Sequence, residues 1–416
     1  MMSNPKLTIG LFGFGVVGEG IYKVLQDTKS LNATVKKICI KHIDKVRNAP
    51  AELFTTEADE LLADEEINVI VELIDDAEAA YHIVTKALKQ KKSVVSANKK
   101  LLANHLEELV ALRDEHGVSL LYEAAVCGSV PIIRNLEEYY DNDLLSSVSG
   151  IINGSTNYIL TKMKEEQLSY ELALQQAQEL GFAESDPTLD VEGIDAVNKL
   201  TIILKHAYGI NEIPEDILYN GITHINERDI QFANEKGYQI KLVAQSVQVD
   251  QGKVAAFVLP TFVAKDSQLY NVRNEFNGVL IGSKLADEQF LYGKGAGRYP
   301  TSSAVLSDIA ALRYEYRYEY KKSELGIANV LTNEIFLKVY VSFESWDTID
   351  KEEFAEIEQV FKSNTRNYIV GIINLDVLHN AEWFYDKSIS VIAIGEEVLY
   401  NPELVWDQSA SVLEKL

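Results

Sequence analysis

The spacing of three glycines near the amino terminus constrains this chain more than any other feature. The motif G-F-G-V-V-G at 13–18 follows a short apolar run and opens a segment with helical periodicity, VVGEGIYKVLQ. In that setting the first glycine allows a tight turn, the second lets the backbone approach a phosphate, and the third allows close helix–strand packing. The residues concerned are Gly13, Phe14, Gly15, Val16, Val17 and Gly18. They predict a dinucleotide site at a helix N-terminus, with a glycine-rich packing turn as the alternative.

The surroundings of this motif alternate strand and helix patterns over the first third of the chain. The strand-like runs are LTIGLFGFG, VKKICIKHI, INVIVELID, KSVVSANK and VSLLYEAAV. Helical patterns such as AEAAYHIVTKALKQ and HLEELVALRDEHG lie between them. Regular βα alternation implies a parallel sheet covered by helices on both faces. We therefore expect a doubly wound, Rossmann-type dinucleotide-binding domain over residues 1–132.

The pattern changes after about residue 132. Residues 133–299 mix amphipathic helices with two long strand-like runs joined by an Asp-Gln-Gly turn, which is typical of an α+β domain. A helix at about 300–320 is expected to pack back on the first domain. Residues 325–416 read as a small α/β module with a strand (NEIFLKVYVSF), a helix (KEEFAEIEQVF) and two further strands (NYIVGII and SISVIAIG).

Composition narrows the classes of function. The 39 basic and 63 acidic side chains give a formal charge of −24, which argues against nucleic-acid or anionic-membrane binding but not against a local basic pocket. The two cysteines, Cys39 and Cys127, argue against a disulfide framework. Signal-peptide and transmembrane patterns are absent from the sequence, so we expect a cytoplasmic protein with a small-molecule substrate.

The end of the second strand bears on which dinucleotide is bound. A site for NAD usually places a carboxylate there to bind the ribose hydroxyls. This chain instead has Lys41, with Lys45 and Arg47 close by and Asp44 as the nearest acidic competitor. The basic cluster favours a 2′-phosphate, so the sequence predicts NADP, with NAD as the alternative. After the fourth strand, Ser96, Asn98 and Lys99 come at the edge of the sheet where ligands bind.

An acidic stretch followed by a lysine marks a second candidate site. Asp195 and Lys199 are separated by four residues and share a helix face, and Glu184 precedes that helix. By themselves these residues fit an ordinary exposed ion pair. They also fit a lysine that gives a proton to a substrate oxygen, or that stabilises developing charge there. The sequence leaves these two roles open.

Taken together, the motifs resemble those of the homoserine dehydrogenase family, in the form without an aspartate kinase portion. The resemblance covers roughly residues 7–320 and is most specific at Gly181-Phe182-Ala183, Asp186-Pro187, Asp190-Val191, Gly193, Asp195 and Lys199. Supporting stretches are SANK, YEAAVCGSVPII, NGSTNYIL and GKGAGRYPTSSAVLSDI. The resemblance implies interconversion of L-aspartate 4-semialdehyde and L-homoserine with NAD(P), a step towards threonine and methionine.

The resemblance also implies roles for individual residues. Lys199 matches the proton donor, Lys99 a second lysine beside substrate and nicotinamide, and Glu184 and Asp195 the groups that bind the substrate. Further matched positions are Gly181, Gly295 and Gly297 against the cofactor, and Glu123, Val126, Gly128 and Val130 as a backbone-carbonyl site for sodium or potassium. It further implies a homodimer or homotetramer. Relatives often end in an ACT domain of βαββαβ order, and residues 325–416 are short for that and show part of the pattern, so we expect an ACT-like module there.

The chain departs from the family where Asp75-Asp76 replaces paired glycines and Lys41 replaces an arginine. The first departure puts two carboxylates near the cofactor, and the second weakens the argument for a 2′-phosphate. Two other functions stay open: an oxidoreductase for a different small semialdehyde or 3-hydroxy acid, and a cofactor-binding regulator that senses amino acids without catalysis.

Overall fold

The computed structural model describes residues 6–142, 144–323, 328–363, 366–395 and 398. Its strands are β1 Leu7–Phe12, β2 Ala33–Cys39, β3 Phe54–Thr55, β4 Val69–Glu72, β5 Ser93–Ser96, β6 Leu120–Leu121, β7 Leu145–Ile151, β8 Leu218–Tyr219, β9 Gln239–Asp250, β10 Lys253–Val263, β11 Phe276–Ser283, β12 Asp287–Lys294, β13 Val330–Leu331, β14 Phe336–Phe343, β15 Phe354–Phe361, β16 Asn367–Asn374 and β17 Ser390–Ile394. Its α-helices are α1 Val16–Asp27, α2 Asp59–Leu62, α3 Ala77–Lys89, α4 Lys99–His116, α5 Ile132–Arg134, α6 Gly154–Glu165, α7 Tyr170–Glu179, α8 Thr188–Val191, α9 Ile194–Tyr208, α10 Glu227–Lys236, α11 Arg298–Leu312 and α12 Leu375–Asn380.

The chain divides into two units. The first comprises Met1–Asp141, Thr201–His206 and Gly293–Lys322. The second comprises Asn142–Leu200, Ala207–Tyr292 and Ser323–Leu416. Across the part of the chain that the structure describes, no helix has both the length and the apolar character needed to cross a membrane.

A parallel sheet forms the centre of the first unit. Its strand order is β3-β2-β1-β4-β5-β6, and every pair in it is parallel. β1 and β4 are almost wholly buried, as expected for strands covered on both faces. The order reverses beside β1, so the carboxyl ends of β1, β4 and β5 lie together at the switch point where ligands bind in such sheets. The Rossmann-type prediction is confirmed.

Helix α11 packs against α1 within this unit. A Cβ on Gly20 would lie 2.5 Å from Ser302 Oγ, so only glycine lets the two helices approach this closely. An ion pair joins Arg298 to Glu19 at 3.2 Å across the same contact. The glycine that follows the motif by two residues thus serves packing rather than cofactor binding.

A mixed sheet forms the centre of the second unit. Among the described residues its main path runs β12-β11-β7-β9-β10-β17-β14-β16-β15, with β8 and β13 pairing to β10. The long hairpin of β9 and β10 is antiparallel and nearly all buried. Apolar side chains of β10 and of the C-terminal strands share one core that includes Phe257, Leu337 and Phe384. The α+β prediction for this part of the chain is confirmed.

One element of the C-terminal prediction is wrong. In the segment KEEFAEIEQVF, Lys351–Glu353 form a 3₁₀ turn and Phe354–Phe361 form an edge strand, β15, where the sequence predicts an α-helix. Its pairing with β16 is interrupted between Phe354 and Glu356 and again between Ile357 and Gln359. Such irregularities insert extra residues into one strand, so the apolar side chains recur every three or four positions and imitate a helix. The predicted strands that became β14, β16 and β17 are confirmed.

Candidate active site

The glycine turn between β1 and α1 has the geometry that its sequence predicts. Gly13 has a φ of +91°, and a Cβ there would lie 2.7 Å from the carbonyl oxygen of Leu73. A Cβ on Gly18 would lie 2.3 Å from the carbonyl oxygen of Gly13. Both positions therefore require glycine, one for its backbone conformation and both for close contact.

The second glycine of the motif is different, because no atom lies within 4 Å of the Cβ position at Gly15. Gly15 is the N-cap residue of α1, where backbone N–H groups lack intrahelical partners. Open space in front of a helix N-terminus is what a pyrophosphate needs in order to approach the backbone. The residues present therefore fit the phosphates of a dinucleotide.

Basic side chains gather at the end of β2, on the other side of the glycine turn. Lys41 is exposed. Arg47 donates to the carbonyl oxygen of His42 at 2.6 Å and stacks over the ring of Phe54 at 5.5 Å. Phe54 in turn contacts Phe14 of the glycine turn, with ring centroids 5.1 Å apart. Arg47 was not assigned as a site residue from the sequence. The structure connects it to the glycine motif through the ring of Phe54, which contacts both Arg47 and Phe14.

Buried polar groups organise the turns after β4 and β5. Ser96 and Asn98 are buried, and Asn98 is the N-cap residue of α4, accepting from Leu101 N at 3.0 Å. Lys99 begins α4 and is partly buried. Glu72 at the end of β4 is fully buried and accepts from Ser96 Oγ at 2.6 Å. Sequence analysis missed Glu72, although a carboxylate that ends an otherwise apolar strand was a visible signal.

The stability of the fold should depend on the protonation of Glu72. Burial raises the pKa of its carboxyl from 4.5 to about 7. Between these values the folded chain holds a proton that the unfolded chain has lost, so this group's contribution is complete below pH 4.5 and declines as the pH rises through 7. The expected loss is on the order of 3 kcal/mol.

Chemical denaturation at a series of pH values checks this expectation. Glu72→Gln supplies the comparison, because an amide does not titrate. The free energy of unfolding of the unaltered chain, minus that of the variant, should fall as the pH rises across this window. A difference that stays constant with pH would contradict the assignment.

The loop at 123–130 is held against a second glycine-containing loop in the same unit. A Cβ on Gly128 would lie 2.4 Å from the carbonyl oxygen of Gly295, and Gly128 has a φ of +53°. Ser129 donates through both its backbone N and its Oγ to the carbonyl oxygen of Lys294, at 3.1 and 3.0 Å. Gly297 is the N-cap residue of α11. The structure thus brings predicted cation-loop and cofactor glycines together.

The side chain of Glu123 is already occupied by the backbone. Its two carboxylate oxygens accept from Ile133 N and Arg134 N at 2.9 and 3.0 Å. Asp308 accepts from the backbone N of Glu123 at 2.9 Å, and burial raises the pKa of both carboxyls. A monovalent cation in this loop would therefore be held by backbone carbonyls such as those of Val126 and Val130, as the resemblance implies. Such hard oxygen donors fit an alkali-metal ion.

In the second unit, α9 carries a buried ion pair. Lys199 Nζ lies 2.7 Å from Asp195 Oδ2 and donates to the carbonyl oxygen of Ile152 at 2.8 Å. The side chains of Lys199 and Asp195 are 10% and 2% exposed, which rules out the alternative of an ordinary exposed helix pair. A buried ion pair stabilises little by itself, so its presence points to a role in binding or chemistry.

Asn153 ties this ion pair to the acidic stretch. Its Nδ2 donates to Asp195 Oδ2 at 2.8 Å and to Asp190 Oδ1 at 2.7 Å, while its Oδ1 caps α6 through Thr156 N at 2.9 Å. Sequence analysis missed Asn153 as a site residue. The available signal was an asparagine at the N-cap position of a predicted helix, within the matched stretch NGSTNYIL.

Two other predicted residues lie in the segment between α7 and α8. Glu184 is exposed, and its backbone carbonyl accepts from Gln178 Nε2 at 2.9 Å. Gly181 has a φ of +77° and no atom within 4 Å of its Cβ position. Gly181 therefore needs glycine for its backbone conformation at the end of α7, and the space beside it is open.

Known proteins resemble this chain over most of its length. The family model for the NAD-binding domain of homoserine dehydrogenase matches residues 13–123, and the model for homoserine dehydrogenase matches residues 131–310. The homoserine dehydrogenase of Bacillus subtilis is 35% identical over 380 residues, covering 86% of this chain and 87% of its own.

Solved structures agree with these sequence matches. A homoserine dehydrogenase from Thiobacillus denitrificans superposes with a TM-score of 0.83 at 28% identity, covering 94% of this chain and 98% of that one. A hyperthermophilic archaeal homoserine dehydrogenase in complex with NADPH gives 0.65 at 26% identity, covering 76% and 99%. The chain therefore belongs to the homoserine dehydrogenase family, the NAD(P)-dependent oxidoreductases that interconvert L-aspartate 4-semialdehyde and L-homoserine.

Proposed function

We propose that Lys199 is the group that acts on the reacting oxygen of the substrate. The observation that carries this proposal is its burial against Asp195 and the carbonyl oxygen of Ile152. Reduction of an aldehyde needs a proton, or a positive charge, at the oxygen as the hydride arrives at carbon. The Nζ of Lys199 supplies either, and Asp195 with the Ile152 carbonyl fixes where it points. When bound, the reduced nicotinamide supplies the hydride.

Other residues bind the remaining groups of the substrate. Homoserine carries an α-ammonium and an α-carboxylate in addition to its reacting hydroxyl. Glu184 is exposed and acidic, which suits the ammonium, while Asp195 orients the hydroxyl or a water through Lys199. Lys99, the first residue of α4, is assigned a second positive charge beside the substrate by its matched family position. These assignments rest on the matched family positions and on the chemistry of the groups.

NADP is the proposed cofactor, with NAD as the alternative. Gly15 leaves room for the phosphates, and the residues assigned to the remaining contacts are Gly13, Phe14, Val16, Val17, Gly18, Lys41, Ser96, Asn98, Lys99, Gly181, Gly295 and Gly297. The exposed Lys41 and the Arg47 that stacks near Phe14 favour a 2′-phosphate. Asp75 and Asp76 do not oppose it at the end of β2, because they follow β4 and Asp76 caps α3.

A sodium or potassium ion is proposed for the carbonyl loop of Glu123, Val126, Gly128 and Val130. The loop is built rigidly against Gly295, so an ion there would brace a cofactor-binding glycine rather than take part in chemistry. Thermal unfolding in sodium, potassium and tetramethylammonium salts at equal ionic strength would test the proposal. Equal unfolding temperatures in all three salts would contradict it.

The proposed division of the chain is residues 1–132 for the cofactor, 133–299 for substrate and dimerisation, and 325–416 for an ACT-like module. The sheet order β17-β14-β16-β15, all antiparallel, supports the ACT-like proposal. It corresponds to 4-1-3-2 in a βαββαβ arrangement, with two short 3₁₀ turns in place of the first helix. A homodimer or homotetramer and a cytoplasmic location are proposed from the family resemblance.

A spectrophotometric assay tests the assignment of activity. The full chain should oxidise NADPH when L-aspartate 4-semialdehyde is added, followed as a loss of absorbance at 340 nm, and NADH should be used less efficiently. Other small semialdehydes serve as comparison substrates. No loss of absorbance with either cofactor at saturating semialdehyde would overturn the proposal.

A further inference from the structure

Glu72 completes a closed ring of hydrogen bonds at the carboxyl edge of the parallel sheet. Glu72 and Ser96 are directly opposite each other in the register of β4 and β5. Glu72 Oε2 accepts from Ser96 Oγ at 2.6 Å, and Ser96 Oγ accepts from Asn98 N at 3.1 Å. Asn98 Nδ2 donates to the carbonyl oxygen of Ile74 at 3.0 Å, and Ile74 N donates to Glu72 Oε1 at 2.7 Å.

This ring joins the side chains of two successive turns at the carboxyl edge of the sheet. One is the turn after β4, and the other is the turn after β5 that leads into α4. The backbone adds a further link, since Ala97 N donates to the carbonyl oxygen of Glu72 at 3.2 Å. Asn98 is also the N-cap residue of α4. The ring therefore fixes the start of this helix, where Lys99 is the first residue. The positions of Ser96, Asn98 and Lys99, which are assigned to the cofactor, therefore depend on the same ring of hydrogen bonds.

The ring also reaches the glycine turn. Leu73 follows Glu72 directly, and its N donates to the carbonyl oxygen of Phe12 at 2.9 Å. The carbonyl oxygen of Leu73 is the atom that a Cβ on Gly13 would meet at 2.7 Å. A shift of the turn after β4 would thus be transmitted to the phosphate-binding backbone by direct contact.

We propose that Glu72 is a positioning residue for the dinucleotide, acting through Ser96, Asn98 and Ile74. This inference rests on the proposed function, because those turns carry assigned cofactor contacts. Glu72 itself is fully buried, so it would act on a bound cofactor only through its neighbours. Its carboxyl suits the position because two acceptor oxygens receive two donors from different turns. Above a pH of about 7, where this carboxyl is ionised, both oxygens accept, and a charged acceptor makes stronger hydrogen bonds than a neutral one.

An amide at this position cannot replace both hydrogen bonds. Glutamine offers one acceptor oxygen and one NH₂ donor, so either Ser96 Oγ or Ile74 N loses its acceptor in Glu72→Gln. The side chain keeps its size, so packing around it is preserved. We expect the two turns to loosen relative to each other while the sheet stays intact.

Cofactor affinity measured without turnover tests the inference. Titration of the full chain with NADPH at a pH above about 7, where the Glu72 carboxyl is ionised, should give a Kd about tenfold higher for Glu72→Gln when followed by nicotinamide fluorescence. In steady-state assays the KM for NADPH should rise by a similar factor, while the KM for the semialdehyde stays within about twofold. A Kd within experimental error of the unaltered chain would overturn the proposal.

Glu137→Gln is the matched control. Glu137 is also a buried carboxylate of the first unit with partners on both oxygens: its Oε2 accepts from the backbone N–H groups of Glu319 and Tyr320 at 3.0 and 3.2 Å, and its Oε1 lies 2.5 Å from His206 Nδ1. A merely structural effect of losing a buried carboxylate should appear in both variants. We expect Glu137→Gln to lower the unfolding temperature and leave the Kd for NADPH unchanged. An equal loss of affinity in both variants would overturn a specific role for Glu72.

A double-variant comparison separates the ring from independent contacts. Because Glu72 and Ser96 belong to one ring, Glu72→Gln with Ser96→Ala should weaken NADPH binding less than the product of the single effects. A fully multiplicative loss would contradict the ring. If Glu72→Gln does not fold, Glu72→Asp is the second variant, since its shorter carboxylate cannot reach both donors, and the same increase in Kd is expected.

The outcomes distinguish this inference from the proposed function. A chain that binds NADPH, loses affinity in Glu72→Gln and yet leaves the semialdehyde unreduced would support the positioning role and overturn the proposed function. If the unaltered chain reduces the semialdehyde and Glu72→Gln leaves the Kd and KM for NADPH unchanged, the proposed function is supported and the positioning role is overturned. Failure of the unaltered chain to bind NADPH or NADH would overturn both.

Discussion

Replacing Lys199 by alanine is expected to lower kcat by roughly 10³-fold while NADPH binding stays near normal. The ammonium is buried, and it is aimed by Asp195 at 2.7 Å and by the carbonyl oxygen of Ile152 at 2.8 Å. Alanine removes both the proton source and the charge that would stabilise an alkoxide. Steady-state rates with L-aspartate 4-semialdehyde and fluorescence titration with NADPH measure the two quantities separately.

Lys205→Ala is the control for this substitution. Lys205 lies on the same helix and is equally buried, at 7% exposure against 8% for Lys199, and its ammonium lies over the ring of Tyr320. We expect this variant to keep most of its turnover. If Lys199→Ala keeps most of its turnover as well, the assignment of Lys199 fails.

Lys199→Arg addresses the choice that the sequence left open. Arginine keeps the positive charge but does not give up a proton at ordinary pH. Substantial turnover in this variant would mean that Lys199 acts mainly by charge, and inactivity with intact NADPH binding would mean that it transfers the proton. Thermal unfolding of each variant must be measured together with the rates. Removing the lysine leaves the buried carboxylate of Asp195 without its counter-charge, which destabilises the fold.

Two alanine substitutions in the glycine turn are expected to have opposite profiles. In Gly18→Ala the new methyl group would lie 2.3 Å from the carbonyl oxygen of Gly13, so the turn itself must move. We expect both a lower unfolding temperature and a loss of NADPH binding. In Gly15→Ala the methyl group meets no atom within 4 Å, and the φ of −83° is acceptable for alanine.

Gly15→Ala should therefore fold with unchanged stability. Its Kd for NADPH should nevertheless be at least about tenfold higher than that of the unaltered chain. We propose that the pyrophosphate approaches the helix N-terminus through the open space at Gly15, which a methyl group would occupy. Calorimetry and fluorescence titration of the same preparations provide the comparison. Wild-type affinity in Gly15→Ala would show that the phosphates lie elsewhere.

Much of the fold was predictable because its signals are local. The glycine spacing at 13–18 and the βα alternation around it are patterns of residues close in sequence, and the turn geometry and parallel sheet that they predict are confirmed. The segment at 354–361 shows where local periodicity fails. Two irregularities in its pairing with β16 give apolar side chains a helical spacing in an edge strand.

The candidate site also contains some contacts that sequence spacing predicts and others that only tertiary packing creates. Asp195 and Lys199 were paired correctly from their separation of four residues, because that spacing fixes their neighbourhood on any helix. Asn153 lies 42 positions from Asp195, and its contact with that carboxylate depends on how α6 and α9 pack. Glu192, left without a role by the sequence, pairs with Lys387 at 3.2 Å, a partner 195 positions away.

By itself the sequence determined the class of cofactor, the alternation of strands and helices around the parallel sheet, and the pairing of Lys199 with Asp195. Each follows from residue types at short, fixed spacings whose geometry the backbone dictates. Only the tertiary structure decided that Glu72, Ser96, Asn98 and Ile74 close a ring, and that Lys199 is buried. Burial and long-range hydrogen bonds depend on which strands become neighbours in a sheet, and no local spacing records that choice.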